Sequence, residues 1–147
     1  MNITTRQKWD YINQLDEELL QGGIALSEWT TFLAKDAEIA FCSGAYIASI
    51  LACQAAIESH LKYDYFNSEQ TCGWSFYNLI EKSDLEDELK NNLHSLRKYR
   101  NKWIHVNDPA CDEDLLEKPD YYEEELLEFA KKSIKTMLEV LYSNPFI

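Results

Sequence analysis

Ala45-Tyr46-Ile47-Ala48-Ser49-Ile50-Leu51-Ala52-Cys53-Gln54-Ala55-Ala56-Ile57-Glu58-Ser59-His60-Leu61 is apolar on nearly every side of a helix, and the pattern runs on to about Phe66. A helix of this kind has to be covered over most of its circumference. It therefore predicts the central, most buried element, with the rest of the chain wrapped around it. Its alanines predict close helix–helix contact. The polar residues Gln54, Glu58 and Lys62 recur every four positions and share one stripe. Either Glu58 and Lys62 pair along that stripe, or the stripe faces a second helix. In the second case Glu58 is a buried carboxylate that needs a partner, and an arginine is the obvious one. The most apolar part, Ala45 to Ala56, is too short to span a bilayer.

Outward from this run the chain keeps a helical period. Thr5 is the expected cap of a first helix carrying Trp9, Ile12, Leu15 and Leu19, which Gly22-Gly23 ends. Ser27 caps a second, continued by Trp29, Phe32, Leu33, Ala37 and Ala40 to about Phe41; Gly44 then either breaks the chain or lets two helices approach closely. Asn67 to Gly73 reads as a loop, and Trp74 to Ile80 as a short helical segment. Ser83 and Glu86 have the spacing of a capping box. They open a helix with Leu85, Leu89, Leu93, Leu96 and Arg100 near one face, stopped by Asn107-Asp108-Pro109. After an acidic loop, Pro119 suits the first position of a last helix with Tyr122, Leu126, Phe129, Ile134, Met137 and Leu141 as its stripe. Only four glycines and three prolines are available for turns, and no β-alternation of any length appears. The expected fold is all-α: an up-and-down helical bundle of about five to six helices in a single domain, 1–147.

The formal charge of −12 is unevenly spread. Asp108 to Glu128 holds ten acids and one lysine, whereas Leu89 to Asn107 holds no acid and five bases, Lys90, Arg97, Lys98, Arg100 and Lys102. One reading of this strip is a solvated helix face; the other is a local anion site in a protein that repels polyanions elsewhere. The four cysteines show no paired spacing, and the N-terminus has no signal-peptide pattern. Reduced thiols and a cytoplasmic location, with no membrane association, are the expectation. Neither the cysteines nor His60 and His94 have a spacing characteristic of zinc, so no metal and no cofactor is expected.

Within the basic strip lie Arg100, Asn101 and His105. Asn101 and His105 are four apart and share a face, while Arg100 and His105 are about 140° apart on a regular helix. Arg100 and His105 therefore cooperate only if the helix loosens or if both line a cleft between two surfaces. Histidine can move a proton near neutral pH, and arginine offers a permanent charge that matches a phosphate. This set suits attack of a 2′-hydroxyl on a neighbouring phosphate, a reaction that needs no metal. A structural reading also stands, in which Arg100 and His105 oppose the dipole at a helix end.

Arg100-Asn101-Lys102-Trp103-Ile104-His105 resembles the R-N-x-x-x-H form of the signature of HEPN domains. The leucine-spaced helix that leads into it, the alanine-rich segment ending in Glu58, and the short element Trp74 to Ile80 resemble the family's arrangement across residues 28–142. The resemblance implies an all-α fold, usually a homodimer in which both copies' arginine and histidine line one cleft. It implies a metal-independent endoribonuclease, in a toxin–antitoxin or antiviral defence setting with an antitoxin or defence partner protein, or else a non-catalytic dimerisation, nucleotide-binding or protein-binding module. By motif, Arg100 and His105 carry over as the catalytic pair, Asn101 as polar support and Glu58 as a residue positioning Arg100. Arg97, Lys98 and Lys102 are then the RNA-binding bases. The chain departs from the family's paired toxins after the motif, where it reads His105-Val106-Asn107 instead of H-x-Y.

Overall fold

The computed structural model describes residues 2–67, 69–104 and 115–143. These form an all-helical bundle: α1 (Thr5–Leu19), α2 (Glu28–Cys42), α3 (Tyr46–Ser59), a π-helical turn (His60–Tyr65), α4 (Phe76–Lys82), α5 (Asp87–Ile104) and α6 (Pro119–Leu141). No strand occurs among the described residues, and no described helix is long and apolar enough to cross a membrane.

Local chemistry sets most of the boundaries. The cap of α1 is Thr4, one residue before the expected Thr5. Its hydroxyl accepts from the Gln7 amide, and the Gln7 side chain accepts from the Thr4 amide, completing a capping box. Ser27 caps α2 as its position predicts, accepting from the Thr30 amide at 3.1 Å. Gly44 is a breaker: it takes φ +85°, and the Ala45 amide folds back onto the Ala40 carbonyl at 2.9 Å. Pro119 occupies the first turn of α6. Ser83 is a correction. It ends α4 instead of opening α5, because its hydroxyl donates to the Ile80 carbonyl at 2.7 Å. The Glu86 carbonyl instead takes the Lys90 amide to start α5. The predicted stop at Asn107-Asp108-Pro109 and most of the acidic loop lie outside the described residues.

The apolar run becomes α3, which packs chiefly against α2 and α6 and along its middle against α5. Cys53, Ala56, Ile57 and Leu61 are fully buried, together with Phe41 of α2 and Ala130, Ile134 and Met137 of α6. Each large side chain among them contributes about 1.5–3 kcal/mol of burial. The α2–α3 seam is also laced by hydroxyls. Ser49 donates to the Ala37 carbonyl at 2.8 Å, and the Thr30 and Ser59 hydroxyls bond at 2.9 Å.

That seam also decides which side of α2 faces in. Trp29 and Phe32, which continue its helical period, are 72% and 63% exposed. The face that α2 buries carries Thr30, Ala37, Phe41 and Cys42. Small residues at Thr30 and Ala37 allow close approach to the alanine-rich α3, with Phe41 filling the core at the C-terminal end of that face. Beyond Ser59 the helix widens into the π turn, closed by the Phe66 amide on the Leu61 carbonyl. His60 is buried in this turn and bonds Asp64 at 3.1 Å. Burial pushes its pKa down, partly opposed by Asp64. The described cysteines are free thiols: Cys42 and Cys53 buried, Cys72 exposed.

Candidate functional site

α5 carries the basic strip and is gripped on two sides over its second half. On the α6 side the Tyr99 ring stacks on Phe129 with centroids 3.6 Å apart and planes 1° from parallel. The Tyr99 hydroxyl donates to Glu125 at 3.0 Å. Lys102 approaches the same carboxylate at 3.7 Å and lies near the rings of Tyr99, Trp103 and Tyr122. On the α3 side Gln54, fully buried, donates to the Leu96 carbonyl at 2.5 Å. Buried aromatic stacking and a low-dielectric hydrogen bond make this part of α5 a firm platform.

Arg100 is half-buried on that platform. One of its terminal nitrogens donates to the Asn101 side-chain oxygen at 3.2 Å, while its Nε is buried with no hydrogen-bond partner. Two more unpaired buried polar atoms belong to the same neighbourhood of α3 and α5: Gln54 Oε1 and Trp103 Nε1. A buried guanidinium nitrogen without an acceptor among the described residues is costly. Glu58 does not supply one. It pairs with Lys62 at 3.4 Å, one turn along its own helix, so the stripe satisfies itself. No ion pair joins Glu58 to Arg100 among the described residues.

Of the sequence-predicted site residues, α5 therefore brings Arg100 and Asn101 together. His105 lies outside the described residues. Lys98 is exposed, Lys102 is engaged by α6, and Arg97 belongs to a separate cluster that sequence reasoning missed. In that cluster Glu81 of α4 bonds His94 Nε2 at 2.7 Å, and Arg97 Nε donates to His94 Nδ1 at 3.4 Å. The Tyr77 ring lies 5.0 Å from the His94 ring and 5.4 Å from the Arg97 guanidinium carbon. The signal was present as spacing: Lys90, His94, Arg97 and Asn101 recur on one face of α5.

A groove of about 700 Å³ opens elsewhere, between the start of α5 and the end of α6. Its rim carries Asp84, Glu86, Glu88 and Glu139 against Lys132 and Lys135. Burial raises the Glu139 carboxyl, Lys135 opposes this, and Glu88 and Glu86 add to the rise. A rim on which acids already crowd one another disfavours an anion. Among the described residues no three of His, Cys, Asp and Glu gather as a metal site requires.

No family model, curated protein or solved structure compared with this chain matches it.

Proposed function

We propose that the protein is a HEPN-type, metal-independent endoribonuclease acting through Arg100, Asn101 and His105. The observation that carries this reading is Arg100: a half-buried guanidinium, oriented by Asn101, with a buried Nε that no acceptor satisfies and no carboxylate pairs among the described residues. A phosphate oxygen is the acceptor that such a group suits. In the reaction His105 takes the proton of a ribose 2′-hydroxyl. The 2′ oxygen bonds to the adjacent phosphorus, and the bond from phosphorus to the 5′ oxygen breaks. A proton passes to that 5′ oxygen, leaving a 2′,3′-cyclic phosphate and a 5′-hydroxyl. Arg100 stabilises the charge that builds on the non-bridging oxygens. Because Arg100 and His105 diverge by about 140° on a regular helix, the cleft is completed by a second copy of the chain. The cellular setting is toxin–antitoxin or antiviral defence in the cytoplasm, with a partner protein holding activity in check.

The test is incubation with several RNAs in EDTA, with Arg100→Ala and His105→Ala alongside. Cutting by the wild type and not by the variants supports the reading; equal cutting, or none by any of the three, ends it. A second reading, a non-catalytic protein-binding module, is favoured by the exposed Trp29 and Phe32 on α2. Under it, alanine at Arg100 lowers the Tm and dissolves the dimer, while no RNA is cut.

A further inference from the structure

We infer that Tyr77, with Arg97 beside it, is a base-stacking platform that seats single-stranded RNA one helical turn ahead of Arg100 and Asn101. The inference rests on the ribonuclease reading and names the subsite that would position its substrate.

Tyr77 is 50% exposed although its ring is fixed from the α5 side. The fixing is specific. Arg97 Nε can only donate, so His94 Nδ1 accepts, and the His94 proton sits on Nε2, where it is donated to Glu81 at 2.7 Å. The imidazole is thereby held at both nitrogens against the Tyr77 ring, tilted by 40°. Arg97 lies over the same ring. A half-exposed aromatic ring already held by its neighbours gains stacking without losing much rotamer freedom when a base arrives.

Charge selects the occupant. Arg97 spends its Nε on His94, while its terminal nitrogens make no hydrogen bond or ion pair among the described residues. Lys98 beside it is exposed. A base on Tyr77 would place its phosphate near these cations. Asn101 follows Arg97 by four residues on the same face, a rise of about 6 Å. A protein segment with an acidic side chain would use the cations but leave the exposed part of the ring without a planar partner; a nucleotide uses both.

The experiment measures binding of a fluorescein-labelled oligouridylate by anisotropy, in EDTA. The background is His105→Ala, so that the probe survives. Tyr77→Leu is expected to weaken binding about tenfold or more, with the salt dependence unchanged. Tyr77→Phe, which keeps the ring, should stay within about twofold of the parent. Arg97→Ala should weaken binding to every sequence and lower the salt slope by about one. Thermal melts of each variant confirm folding. Parent-like binding by a folded Tyr77→Leu overturns the platform. If that protein with His105 restored still cuts RNA, the ribonuclease reading survives the loss. Ring-dependent binding without cutting by the wild type has the opposite meaning: the platform stands and the nuclease falls. A parent that does not bind, together with a wild type that does not cut, removes both.

Discussion

Glu38 offers the sharpest test of the packing. It sits half-buried on α2 with no hydrogen bond or ion pair among the described residues, and burial, helped by Asp16, pushes its carboxyl from 4.5 up to about 7. Asp16 is itself committed, accepting from the Tyr142 hydroxyl at 2.6 Å. A carboxyl whose folded pKa lies above its unfolded value favours the protonated form in the fold. Below about pH 4.5 both states hold the proton, and Glu38 costs nothing. Between about 4.5 and 7 the unfolded chain releases it first, so stability falls as pH rises; above about 7 the penalty is complete. The ceiling is about 3.4 kcal/mol, and partial access to water reduces this to about 1–2 kcal/mol. Glu38→Gln keeps the shape and removes the charge. The assay is urea unfolding followed by tryptophan fluorescence at fixed ionic strength, from about pH 5 to about pH 8. The variant's advantage over the wild type should grow by about 1–2 kcal/mol across that range. His60, whose lowered pKa makes it lose stability as pH falls through 6.5, affects both proteins alike and cancels in the difference. An advantage that stays flat to within about 0.3 kcal/mol refutes the reasoning.

Other outcomes follow from the site and its supports. Arg100→Ala should cost about a hundredfold or more in RNA cleavage, and, since it also removes an unpaired buried donor, circular-dichroism melts should show little loss of stability. Gln54→Leu should stay within about 1 kcal/mol of the wild type in urea unfolding, because it trades one hydrogen bond for removal of the unpaired Oε1; Gln54→Ala, which leaves a void at the same place, should be worse by about 2 kcal/mol. Tyr99→Ala should cost about 3 kcal/mol, since it removes both the stack on Phe129 and the bond to Glu125.

Several features were legible because they are local. Ser27 and Pro119 sit where helix starts need them, and Ala45 to Leu61 has too little polar surface to lie anywhere but inside. Asn101 beside Arg100 was likewise a matter of sequence adjacency. The helical period fixes which side chains share a face, but not which neighbouring element that face will meet. α2 carries two apolar faces, and only packing against α3 decides that Thr30 and Ala37 go inward and Trp29 and Phe32 outward.

The same limit applies to the polar stripe of α3. By itself the sequence determined an all-helical chain, its central helix and the cationic strip of α5. The tertiary structure decided that Gln54 turns to α5, that Glu58 stays with Lys62, and that Arg100 keeps an unpaired Nε. It also brought Glu81 and Tyr77 of α4 to His94 and Arg97. Partners 13 or more residues away are chosen by how helices pack, and that choice depends on shape and volume across the whole core, which no window of sequence contains.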